Sequence, residues 1–181
     1  MQRIYSSPWT PEEYDAAEAY LQIIPDSVCP SCEQTVQLHR HGHYQRWLIT
    51  ELAKLLRLWI ARFLCPSCRT TIIYLPDFCF SYRPLQPRTL EAFLQAQVDR
   101  PDVRSHSERL RQYKLRVEDF ASELIRTVGA CFGRPPPDPP HGLWPWLKKA
   151  GDGLHTVTRR LVTDFQITLF RRYQCHQPAG P

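Results

Sequence analysis

Two rhythms of apolar residues divide the chain. Between Cys29 and Leu75 they come in short runs rich in branched and aromatic side chains. Residues 35–39 alternate weakly, 44–49 and 58–64 are dense, and 70–75 is stopped by Pro76. Runs of this composition predict strands. Gly42, flanked by His41 and His43, predicts the turn of a hairpin with arms 35–39 and 44–49. Beyond Gln86 the apolar residues recur every three or four positions, which predicts helices. Leu90, Phe93, Leu94 and Val98 mark one. Leu110, Tyr113, Val117, Phe120, Leu124 and Val128 mark a longer one, reaching about Cys131 with Gly133 just past its end. Leu154, Val157, Leu161, Phe165 and Leu169 mark the last, from about Asp152 to Tyr173.

One stretch fits both rhythms. Leu52, Leu55, Leu56, Trp59, Ile60, Phe63 and Leu64 stand at helical spacing. Residues 58–64 also suit a strand packed on both faces. The expectation is a helical turn near 51–57 and then a strand from Leu58 to Leu64. Upstream, Thr10-Pro11-Glu12-Glu13 is a capping box with proline at the first helical position. It predicts a helix to about Gln22, ended by Ile23-Ile24-Pro25. Ser105-His106-Ser107-Glu108 is a second such box. The helix pair around Pro101 suits either a helix-turn-helix or a plain bundle, and the bundle is the commoner arrangement. Arg134 to Pro140 is a stiff proline-rich spacer, and Trp144 and Trp146 are expected to pin it to the helices.

The cysteines change the picture most. Cys29-Pro30-Ser31-Cys32 and Cys65-Pro66-Ser67-Cys68 repeat one tetrapeptide. Two thiols two residues apart can reach one tetrahedral ion, and two such pairs close a structural site. The expected cofactor is one Zn2+ held by Cys29, Cys32, Cys65 and Cys68. The first residues lack a signal peptide's apolar run and no stretch could span a bilayer, so nothing points to the oxidising compartment a disulfide framework needs. Disulfides or idle buried thiols remain the alternative for the two pairs. Cys79 reads as a small buried residue, and Cys131 and Cys175 have no close-spaced partner. The expected fold class is α+β: a small four-cysteine zinc ribbon of β-hairpins followed by an all-helical C-terminal half. Its parts are a helical lead-in (1–28), the ribbon (29–85), a helical segment (86–133), a proline-rich linker (134–147) and a last helix with tail (148–181).

Charge then suggests a partner. The net charge of +5 is unevenly spread. Residues 1–33 carry six acids against Arg3, whereas 34–76 carry Arg40, Arg46, Lys54, Arg57, Arg62 and Arg69 against Glu51. A basic ribbon beside an acidic head is a mild footprint for a polyanion such as a nucleic acid. The candidate contacts are Arg40, Arg46, Arg62 and Arg69, with His41 and Tyr44 at the turn. Trp47 suits base stacking or the core of a small domain.

The stretch from Cys29 to Pro84 resembles the zinc-ribbon heads of bacterial insertion-sequence transposases. It is closer still to uncharacterised bacterial proteins that carry such a ribbon alone. The residues behind this are C-P-S-C at 29–32, R-H-G-H-Y-Q-R at 40–46, R-F-L-C-P-S-C-R-T-T at 62–71, Y-L-P-D-F at 74–78 and S-Y-R-P-L at 81–85. The resemblance implies a DNA-associated zinc module in a cytoplasmic or nucleoid-associated bacterial protein, with DNA as its partner. The catalytic domain of full transposases, with its three acidic residues, has no counterpart here. Nor does the chain carry a nucleophile–base set, paired carboxylates or a phosphate loop, so no enzyme is expected. A protein-interaction or transposon-accessory module is the second reading.

Overall fold

The computed structural model describes residues 1–51, 54–99, 108–137 and 142–170. Four strands, β1 (Gln2–Tyr5), β2 (His39–Ile49), β3 (Leu55–Leu64) and β4 (Thr71–Pro76), form one sheet in the order β1-β4-β3-β2. Only β1 runs parallel to its neighbour; the other pairs are antiparallel. Six α-helices accompany the sheet among the described residues: α1 (Pro11–Ala16), α2 (Pro87–Asp99), α3 (Glu108–Asp119), α4 (Ala121–Phe132), α5 (Leu143–Gly151) and α6 (Leu154–Phe165). The class is α+β, as expected.

β1 was not expected. Four residues bury only Gln2 and Ile4, too short an alternation to read. The strand is held from outside: the Met1 ammonium donates to the Thr71 carbonyl at 2.9 Å, and Ile73 N–H donates to the Met1 carbonyl at 2.9 Å.

Gly42 is not the turn of a hairpin. β2 runs straight through it for eleven residues, and Gly42 sits at φ +81 where the register with β3 slips between Arg40 and His43. A residue free to adopt positive φ was needed there, for a bulge rather than a reversal. The hairpin partner is β3 instead, and Thr50 N–H donates to the Lys54 carbonyl at 2.9 Å between the two strands. The helical turn near 51–57 does not form in its described part. Residues 52–53 lie outside the described residues, and Leu55 already belongs to β3. The helical spacing was a by-product of two-sided burial. Ile60 and Ala61 point to opposite faces and are both fully buried.

The lead-in helix is shorter than its pattern. Its capping box forms, with Thr10 N–H donating to Glu13 Oε2 at 2.9 Å and Glu13 N–H to Thr10 Oγ1 at 3.3 Å. Yet α1 stops at Ala16, Glu18 turns left-handed at φ 45, and a 3-10 turn spans Ala19–Gln22. The break drives Tyr20 onto the sheet, where its ring meets His43 at 5.1 Å and Trp59 at 6.2 Å.

In the helical half, the long helix expected to Cys131 divides at Phe120 (φ −97, ψ 7) into α3 and α4. Gly133 ends α4 in the left-handed conformation, as expected. α5 arises inside the expected linker. It starts after Gly142 with Pro145 still in its first turn, where no intrahelical N–H is lost. Trp146 pins the proline segment by donating Nε1–H to the Pro135 carbonyl at 2.8 Å, and Trp144 Nε1–H reaches Gln95 on α2 at 3.2 Å. α6 ends at Phe165, before the expected Tyr173, because Gln166 turns left-handed and Ile167, Leu169 and Phe170 fold back into the core. The Ser105 cap, and the stretch from Arg171 to Tyr173 with Cys175, lie outside the described residues.

Two cores result. One joins β1, the lead-in, the sheet and the cysteine loops, and takes Val162 from α6. The other gathers the helices and takes Phe80 and Leu85 from the loop after β4.

Candidate metal centre

The repeated tetrapeptide folds twice into one loop. In the first, Cys29 N–H donates to the Gln34 carbonyl (3.0 Å) and Glu33 N–H to the Cys29 carbonyl (2.8 Å). In the second, Cys65 N–H donates to the Thr70 carbonyl (3.0 Å) and Arg69 N–H to the Cys65 carbonyl (3.0 Å). The fifth residue closes each loop in the left-handed conformation, Glu33 at φ 59 and Arg69 at φ 58. Proline at the second position suits so tight a turn, because its φ is preset. The first loop springs from the short Val28–Thr35 bridge. The second joins β3 to β4, with Leu64 opposite Thr71.

The loops face each other. All four sulfurs lie within 4.8 Å of one another. Cys29 Sγ is 3.7 Å from Cys68 Sγ, and Cys32 Sγ is 3.8 Å from Cys65 Sγ. A tetrahedral ion with metal–sulfur bonds of about 2.3 Å requires sulfur–sulfur edges of about 3.8 Å. Two of the six edges have that length and all lie within 4.8 Å, so the donor set can hold such an ion, and the thiols are far beyond disulfide distance. Cys29 and Cys65 are fully buried, whereas Cys32 and Cys68 are half-buried.

The thiols are not equivalent. Burial pushes Cys29 up to about 12. Cys68 is drawn down to about 6, first by the Thr70 hydroxyl and also by the Thr70 N–H. An ion must displace protons from such thiols, so its binding weakens as pH falls. A closed set of four sulfurs offers an ion no open position for substrate.

The residues expected to contact nucleic acid are placed differently from one another. The Arg40 guanidinium donates to the carbonyls of Tyr20 (3.2 Å), Leu21 (2.9 Å) and Ile23 (3.3 Å), and lies 5.1 Å from the centre of the Phe63 ring. It straps the lead-in to the sheet. Arg46 donates to the carbonyls of Phe80 and Arg83, tying β2 to the loop that enters the helical half. Tyr44 is half-buried beside Arg46, and burial raises its hydroxyl pKa. Arg62 is half-buried, with a terminal nitrogen close to the bulge at Gly42. His41 and Arg69 are exposed, at the bulge and at the second cysteine loop.

Sequence reasoning missed one exposed pair. Trp47 on β2 stands opposite Arg57 on β3, and the guanidinium sits 5.9 Å from the indole centre. Ten residues separate them, and only the hairpin register brings them together.

This is an α+β protein with a four-cysteine cluster at the ends of its strands. Residues 29–113 match the family described as Domain of unknown function (DUF6431). The matched stretch opens on the first cysteine of the cluster and closes within α3. Searches of curated proteins and of solved structures found no match. None of these comparisons connects the chain with transposases.

Proposed function

We propose that this chain is a non-catalytic zinc-binding protein that uses a zinc ribbon, of the kind that heads insertion-sequence transposases, to bind DNA. The observation that carries the zinc reading is the pair of sulfur edges at 3.7 and 3.8 Å. They match a tetrahedral thiolate site for zinc, and four-cysteine sites of this geometry are structural. Such thiolates persist in a reducing compartment, which suits the cytoplasm.

The DNA reading rests on the uneven charge of residues 34–76. The guanidinium groups of Arg40 and Arg46 are already bonded to backbone carbonyls, so the phosphate contacts pass to Lys54, Arg57 and Arg69, with His41, all exposed. Trp47, stacked with Arg57, supplies a surface for a base. Each phosphate contact releases counterions, so affinity falls steeply with salt. Mass spectrometry of the intact protein is expected to give one zinc per chain. A salt titration of duplex-DNA binding is expected to give a steep slope that R57E flattens by about one contact. No zinc overturns the first half of the proposal, and binding that ignores salt overturns the second.

One observation favours a protein partner instead. Trp47 (52% exposed) on the edge strand β2 and Leu55 (57%) at the start of β3 are both exposed near the end of the hairpin. If W47A abolishes capture of a protein while DNA binding is absent, the interaction reading replaces the DNA one.

A further inference from the structure

We infer that the DNA bound by this chain is single-stranded, and that its bases stack on the open face of the β2–β3 hairpin with Trp47 as the main platform. The inference rests on the DNA reading above and names the form of DNA that this surface takes.

The hairpin has one covered face and one open face. Pairing sets Leu48 opposite Leu56, Arg46 opposite Leu58 and Tyr44 opposite Ile60. On that face Leu48, Leu58 and Ile60 are fully buried. The alternate positions belong to the other face. There His43, Gln45 and Trp47 on β2 run beside Leu55, Arg57 and Trp59 on β3. All of them are exposed except Trp59, which is half-buried.

A sheet face left to water is ordinarily polar. This one carries two indoles and an imidazole. Their rings form two platforms. The His43 ring lies 4.6 Å from Trp59 and 5.1 Å from Tyr20, which closes the row at the lead-in. Four residues further along β2, about 13 Å at strand rise, the Arg57 guanidinium lies over the Trp47 indole at 5.9 Å, and Trp47 is still 52% exposed.

Charge and ring chemistry together select the occupant. β2 and β3 carry Arg40, Arg46, Arg57 and Arg62 and not one acidic residue. Arg57, with Lys54 at the end of the hairpin, is exposed. Such a face suits a polyanion. In a duplex each base is covered above and below by its neighbours, and a protein meets only base edges in the grooves. Rings lying on a sheet can stack only on unpaired bases. Aromatic platforms beside cations that follow the backbone hold single strands with little regard for sequence.

The test uses the full zinc-loaded chain with two labelled probes, an oligothymidine, which cannot pair with itself, and a mixed-sequence duplex of equal length. The oligothymidine is expected to bind more tightly than the duplex. W47A is expected to weaken oligothymidine binding by about 5- to 150-fold, the equivalent of one base stack, and to leave duplex binding nearly unchanged. Its salt slope is expected to match wild type, because stacking releases no counterions. W47F, which keeps a ring, is expected to lie close to wild type. Trp47 is exposed, so its truncation leaves the core intact. Duplex bound as tightly as the single strand overturns the inference, as does W47A with unchanged oligothymidine affinity or with equal losses on both probes. Tighter binding of an RNA of matching sequence overturns the choice of DNA. Failure of the wild type to bind either DNA probe is a separate outcome, which removes the DNA reading itself.

Discussion

The sheet half and the helical half are stabilised by different means. The helical half buries leucines and aromatics in regular stripes, with Leu90, Leu124, Leu147 and Leu161 wholly out of solvent. Its stability comes from apolar area and from packing that tolerates few gaps. The sheet half has loops and edges where the helical half has stripes. It spends cations and thiols on its own frame: Arg40 on three carbonyls, Arg46 on two, and four cysteines on one small cluster. Charge that looks like a binding surface in the sequence is, in this half, partly internal scaffolding.

The sharpest break of that comparison is chemical. With zinc removed by a chelator, or in C65S, the backbone around residues 28–36 and 64–71 is expected to lose hydrogen-exchange protection, because the free energy of metal binding is folding free energy there. The α4–α6 amides are expected to keep most of theirs. Simultaneous loss in both halves would show one cooperative unit and erase the difference between them.

The opposite perturbation is smaller. L161A removes a fully buried side chain from the helical core and is expected to cost about 2–5 kcal/mol in denaturant unfolding. Zinc content is expected to be unchanged. A variant that lost its metal would show that the helices hold the cysteine loops in place.

The smallest effect is on pH. Tyr74 is raised to about 12, mainly by burial, and its hydroxyl donates to Asp26 Oδ2 at 3.3 Å while accepting from Asp26 N–H at 2.9 Å. In the unfolded chain a tyrosine ionises near about 10. The folded protein therefore holds this proton where the unfolded one has lost it. The contribution is complete below about pH 10 and disappears as pH rises through about 12. Thermal melts from pH 9 to 12 are expected to fall more steeply for wild type than for Y74F. Parallel curves would place the alkaline sensitivity elsewhere.

Much of the site and less of the fold could be read in advance. The cysteine loops were legible because a ligand pair two residues apart is a local property. The same holds for the Thr10 cap, Gly133 at the end of α4, and the strand expected over 70–75 and found over Thr71–Pro76, each set within a few residues. The bulge at Gly42 was half legible: glycine announced an irregular backbone, but whether the chain turned or merely slipped depended on β3 lying alongside. The helical spacing of 52–64 misled because burial on both sheet faces produces the same string of apolar letters.

The sequence by itself determined an α+β chain, a four-thiol cluster and a helical C-terminal half, since spacing and periodicity are written along the backbone. Tertiary structure alone decided what the charged and aromatic residues do. It set β1 beside β4, bonded Arg40 and Arg46 to backbone carbonyls, laid Arg57 on Trp47, and carried Thr70 across to Ser31. The reason is physical. A metal ligand pair acts through its neighbours in the chain, whereas a guanidinium or a hydroxyl acts through whatever lies within about 3 Å of it, and that company is assembled from residues tens of positions away.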